Sequence, residues 1–172
     1  PAYAGIPVTD RRHAASFAVV TGHKDPAASA TQVRWRELSL GADTLIPVSA
    51  PSGVDQTPLH ALSEGAGDAI NLLAYGSESG MGRIVSATLA ANAMPVSLTP
   101  VFTSHTLVLA RMAKDGRGLA WLPLSIVADD LAKGTLVRAG DAFWDIPVDV
   151  RLYRPRGRQS PSAEAFWKLA SA

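Results

Sequence analysis

Apolar and polar positions along this chain fall into two rhythms, one helical and one of short apolar runs. From Leu107 to Ala113 almost every position is apolar, and Arg111, Lys114 and Asp115 share the one remaining face. That pattern predicts a helix buried on most sides. Ser104 stands where an N-cap is needed, and Gly116 where a left-handed residue ends a helix. Leu119 to Leu122 then forms an apolar run too short for a helix and suited to an interior strand. Upstream, Ile70 to Tyr75 reads as a continuous apolar strand, Gly80 to Ala93 as a helix and Val96 to Phe102 as a strand. Downstream, Pro123 is placed to start a helix that Gly134 ends, and Thr135 to Arg138 is a strand. Ile146 to Tyr153 alternates cleanly, and Ser160-Pro161 opens a last helix docked by Phe166, Trp167 and Leu169.

The first third is less regular. Ser16 to Val20 is a short strand, and Thr21 to Gln32 a loop. Val33 to Leu40 alternates toward a turn at Gly41-Ala42-Asp43. Leu45 to Val48 is a strand whose Pro47 predicts an edge or a bulge, because proline cannot donate to a ladder. Pro51 to Gly67 reads as loop with one helical turn around Leu59. Strands and helices alternating from Ile70 onward argue an α/β fold with mostly parallel strands joined by right-handed crossovers.

In such sheets ligands bind beyond the carboxyl ends of strands. Two corners qualify: Gly76-Ser77-Glu78-Ser79-Gly80, and Thr103-Ser104-His105-Thr106. Both are rich in hydroxyls and both feed helix N-termini, whose free N–H groups and dipole suit small anions. The plain alternative for each serine is an N-cap. Catalytic readings fail on spacing. Glu78 stands where a nucleophile elbow needs serine, and Gly116-Arg117-Gly118 precedes a strand and lacks a third glycine. His13, His23, His60 and His105 are scattered without metal-binding spacing, so neither a metal nor a cofactor is expected. Met81, Met94 and Met112 are core filling or sites of oxidation.

Charge changes the picture little. Sixteen basic and fifteen acidic residues leave a net charge of +1, which supplies no long-range field for nucleic acid. Arg154, Arg156 and Arg158 form the one basic cluster and read as a solvated loop. The chain has no cysteine, which excludes disulfides and thiolate chemistry and fits a reducing cytoplasm. No apolar run approaches a membrane span.

Leu107 to Arg138 resembles the effector-binding domain of LysR-type transcriptional regulators: Gly116, then Gly118-Leu119-Ala120-Trp121-Leu122-Pro123, Val127 to Leu131, and Gly134-Thr135-Leu136-Val137. Leu45-Ile46-Pro47-Val48-Ser49-Ala50, Tyr75 with Ser79-Gly80-Met81-Gly82-Arg83, Ile146-Pro147-Val148 and Ala163-Glu164-Ala165-Phe166-Trp167 are similar to the branch that includes hypochlorite-responsive regulators. The resemblance runs from about Ser16 to Leu169. It implies a receptor of two α/β lobes, like a periplasmic binding protein of type 2, with a small-molecule effector in the cleft. One lobe, about 45–102, would be inserted between 16–44 and 103–172. Carried over by motif, the effector contacts are Ser77, Ser79, Met81, Ser104, His105 and Thr106. The resemblance further implies a homodimer or tetramer, and DNA contact only through an N-terminal helix-turn-helix that this chain does not carry. The receptor's opening strands also lack a counterpart here, so an incomplete first lobe is expected. The rival expectations are a stand-alone solute-binding protein of the same architecture and a small α/β enzyme.

Overall fold

The computed structural model describes residues 18–22, 35–53, 55–62, 69–92 and 97–172, with backbone alone for 18–22. Its strands are β1 (Ala18–Gly22), β2 (Trp35–Ser49), β3 (Pro51–Ser52), β4 (Thr57–Pro58), β5 (Ile70–Tyr75), β6 (Leu98–Ser104), β7 (Ala120–Pro123), β8 (Val137–Arg138) and β9 (Ile146–Pro155). Its helices are α1 (Gly80–Ala91), α2 (Thr106–Lys114), α3 (Leu124–Ala132) and α4 (Pro161–Ala170). Expectations for Ser16, for the loop after Gly22, for Val33 and Arg34 and for Met94 to Val96 lie outside the described residues.

The chain forms two compact units, one of residues 1–42 with 148–172 and one of 43–147. In the first, β9 lies between β1 and the opening residues of β2, and β1 pairs with it antiparallel, Ala18 opposite Tyr153 through Gly22 opposite Asp149. Arg151 joins strands here, its Nη1 on Glu37 Oε1 at 2.7 Å and its Nη2 on Asp149 Oδ2 at 2.8 Å.

In the second unit, β5 and β6 pair in parallel around α1. Leu119, just before β7, extends that parallel pairing: its N–H donates to Asn71 C=O and its C=O accepts from Leu73 N–H, both at 2.8 Å. β2 runs antiparallel to β7, with Leu45 opposite Pro123 and Val48 opposite Ala120. Parallel pairing thus holds where a helix crosses over, and antiparallel pairing elsewhere. All four residues of β7 are buried, as the short apolar run predicts. Ile46, Val48, Leu73, Leu109, Ala110, Ala113, Leu122, Val127 and Leu136 pack into one core. Each fully buried aliphatic side chain contributes about 1.5–3 kcal/mol relative to exposure. Gly116 (φ +72°) and Gly134 (φ +67°) end α2 and α3 in the left-handed region, as expected.

Several elements differ from the sequence reading. Gly41 to Asp43 is not a turn: it lies within the 15-residue strand β2, with Gly41 at φ +150°. Pro47 is not at a free edge. It faces Trp121 on one side, and its C=O accepts from Ala139 N–H (2.9 Å) on the other. The donor it lacks falls on the side of β8, where pairing spans two residues only, so little ladder is lost. The helical turn around Leu59 is replaced by the β3–β4 hairpin, after which Leu59 N–H donates to Ala50 C=O (2.9 Å). Ser104 is the last residue of β6, opposite Tyr75, so the N-cap of α2 falls on His105, whose side chain makes no cap bond. Pro123 likewise completes β7 and stands at the N-cap position of α3, without a cap bond of its own, rather than starting the helix.

The helix faces also shift. α2 buries Leu109, Ala110 and Ala113, while Leu107 is 71% exposed. It packs on β5, β6 and β7, and Val108 on its outer side is exposed as well. On α4 the inner line is Ala163, Trp167 and Ala170, and Phe166 and Leu169 point outward. Spacing of three and four residues explains this, because 163, 167 and 170 stack on one helical face. Arg154 is not in a solvated loop. It lies in β9, 3% exposed.

Candidate effector site

The two corners predicted from sequence belong to the same unit and leave the same end of one parallel pair. The register sets Tyr75 opposite Ser104, so the carboxyl ends of β5 and β6 are level. α1 and α2 start directly beyond them, with N-caps at Ser79 and His105.

The first corner is tightly built. Ser79 Oγ accepts from Gly82 N–H at 2.9 Å and donates to Gly76 C=O at 2.7 Å, so its hydroxyl closes the turn and keeps one lone pair for a further contact. Gly82 has to be glycine for this: a Cβ there would stand 2.0 Å from Gly76 O. Arg83 Nη1 donates to Glu78 C=O at 2.6 Å, which brings a cation to the first turn of α1. Its Nε is buried without a hydrogen-bond partner. Ser77 is exposed, and Met81 is half-buried.

The second corner is more open. His105 is exposed, and Ser104 and Thr106 are half-buried. Neither the His105 ring nor the Ser104 hydroxyl caps α2, whose first-turn bonds run to His105 C=O from Val108 and Leu109 N–H, both at 3.0 Å. The side chains that remain available to a ligand are therefore concentrated here.

Sequence reasoning missed Tyr75. Its hydroxyl is buried and has no partner of full hydrogen-bond geometry. Burial pushes the phenol above its ordinary pKa, and the adjacent Thr106 side chain offsets part of that. Tyr75 also lines a small cavity of about 40 Å³ with Leu72, Gly82, Val85, Leu89 and Trp121, beneath α1. The signal was present in the sequence, since Tyr75 is the polar tip that ends an apolar strand next to a candidate corner. It reads as a strand terminus until the pairing with Ser104 shows that it stands between both corners.

Outside the corners, His60 is structural: its N–H donates to Ser49 Oγ (3.2 Å) and its Nε2 meets Gly116 C=O (3.2 Å). Met112 packs half-buried against the core. Among the described residues no three His, Asp or Glu side chains converge to hold a metal ion, and no helix is long and apolar enough to cross a membrane.

Comparison with known proteins agrees with the motifs. The family described as "LysR substrate binding domain" matches residues 11–172. Two curated relatives, the HTH domain-truncated transcriptional regulator QseD of Escherichia coli O157:H7 and the HTH-type transcriptional regulator YjiE of E. coli K12, are each 34% identical over 97 residues. Those residues are 56% of this chain, 40% of QseD and 32% of YjiE, so the match spans less than half of either relative. The regulatory domain of HypT from Salmonella typhimurium superposes with a TM-score of 0.76 at 29% identity, covering 88% of this chain and 70% of that one. Full-length HypT, described as a hypochlorite-specific LysR-type transcriptional regulator, gives 0.74 at 29%, covering 87% of this chain and 49% of that one.

Proposed function

The chain belongs to the family of LysR substrate-binding domains, and on that premise we propose that it is the sensing part of a bacterial transcription regulator that responds to a small molecule or an oxidant. The observation that carries the reading is the pair of level corners. Two adjacent parallel strands end side by side, and each feeds a helix N-terminus edged with hydroxyls. We assign effector contact to Ser77, Ser79 and Met81 at one corner and to Ser104, His105 and Thr106 at the other. Helix N-termini favour an anionic or strongly polar effector. Likeness to HypT favours an oxidant among the candidates.

Sensing then works by population shift. An effector that binds one pose of the domain better than another moves the equilibrium by its difference in affinity, and no further. The pose is read out by a homodimer or tetramer, and DNA is contacted by a region other than residues 1–172. The protein works in the cytoplasm and turns over no substrate. The test is thermal unfolding of the full-length regulator against small carboxylic acids, chloride and hypochlorite. A saturable rise in Tm with one of them supports sensing, and a flat response to all of them contradicts it.

A further inference from the structure

Beneath α1 lies a space that neither corner uses. It is a cavity of about 40 Å³ walled by Leu72 of β5, Val85 and Leu89 of α1 and Trp121 of β7. Three elements of one unit meet there without filling it. Protein interiors pack closely enough that voids larger than a water molecule are few. One water needs about 10–15 Å³ of such space, so this cavity has room for a molecule of about two or three non-hydrogen atoms.

The lining decides what such a molecule is. Among the described residues that line the cavity, none carries a charge. An ion entering it would give up its hydration with no counter-charge in return, which disfavours a charged ligand. Trp121 Nε1 is already spent on Trp144 C=O at 2.9 Å, and Ser86 is exposed to solvent. Tyr75 is the remaining polar side chain. Its hydroxyl is buried, and its contact with the Thr106 side chain falls short of full hydrogen-bond geometry. Burial also holds the phenol in its protonated, donating form. A buried donor without a full partner gains more from a new acceptor than an exposed hydroxyl does. The wall reaches the first corner as well, because Gly82 lines the cavity and its N–H donates to Ser79 Oγ at 2.9 Å.

We propose that this space is a second binding site, distinct from the two corners, for a small uncharged molecule that accepts a hydrogen bond from Tyr75. Small alcohols have the required size and chemistry, and methanol is an inert probe of it. An occupant rests against Gly82, the residue on which closure of the first corner depends.

Methyl-resolved NMR of the 13C- and 15N-labelled chain tests this, read at Leu72, Val85 and Leu89. So few ligand atoms cap the affinity at about the millimolar range, so methanol is titrated into the molar range. Saturable shifts of those methyls and of the Gly82 amide are expected. In Tyr75→Phe methanol should bind about three- to tenfold more weakly. Xenon, which needs the space but no hydrogen bond, should shift the same methyls equally in parent and variant. Formate, as small but charged, should shift none of them. Absence of saturable methyl shifts with methanol would overturn the proposal, whether or not xenon enters. So would equal methanol affinity in the parent and in Tyr75→Phe, or formate binding in the same space. All of this is read beneath α1, so the second site stands or falls separately from effector binding at the corners.

Discussion

Replacing Gly82 by alanine sets two opposing effects against each other inside α1. Alanine in place of glycine within a helix favours folding by about 0.8–1.0 kcal/mol. The new Cβ, however, would lie 2.0 Å from Gly76 O, 2.9 Å from Gly76 C and 3.0 Å from Ser79 Oγ. Two of those atoms are backbone, so no side-chain rotation relieves the contact. The turn has to open, which breaks the Ser79 cap to Gly82 N–H. Loss of such a cap costs about 1 kcal/mol, and overpacking a closed site costs about 1–3 kcal/mol. The balance is a net loss of about 1–3 kcal/mol. Urea unfolding monitored by circular dichroism reads this as a lower midpoint with an unchanged m-value. Hydrogen exchange should show the loss concentrated at residues 79–84. A Gly82→Ala variant as stable as the parent, or more stable, would refute the close approach on which the first corner depends.

Three further outcomes follow from the same contacts. Asp43 accepts from Ser125 N–H (3.3 Å) and Ser125 Oγ (2.5 Å) and so caps α3; Asp43→Ala should lower stability by about 1 kcal/mol, measured by urea titration. Two carboxyls sit below their ordinary pKa. At Asp130 burial pushes upward but is outweighed by the Thr135 hydroxyl and the Lys114 and Lys133 charges, and at Glu164 the Gln159 N–H leads, followed by Arg154. For both, the unfolded chain binds protons more readily, so their stabilisation is present above the ordinary carboxylate pKa and is lost as pH falls through the folded value; an Asp130→Asn, Glu164→Gln double variant should show a shallower acid limb in stability measured from about pH 6 to 3. Tyr75→Phe removes a buried hydroxyl that has only an imperfect contact with the Thr106 side chain, so Tm should change little, while any effector response that uses the hydroxyl should weaken in the same thermal-shift series.

Local pattern made much of the second unit legible. The apolar run of β5, the cap at Ser79, the glycines that end α2 and α3 and the buried run of β7 follow from neighbouring residues alone. Both corners were legible for the same reason, since each is a strand end followed at once by a helix start. What stayed hidden was made by distant partners. The α3 cap comes from Asp43, 82 positions upstream. Gly41 suggests a turn, yet it lies within β2. Arg154 looks like one of three solvated arginines until Glu164 and Trp167 close over it. Tyr75 gains its meaning only from the register that sets it against Ser104. Phe166 and Leu169 are bulkier than Ala163, but helical geometry, not size, decides which face turns inward.

The central claim is that the level corners of β5 and β6 receive the effector. An amide chemical-shift map of the 15N-labelled chain, titrated with whichever probe raises Tm, tests it most directly. Saturable shifts clustered at residues 77–82 and 104–106 are expected. Saturable shifts confined to other parts of the chain, with those two corners unmoved, would contradict it.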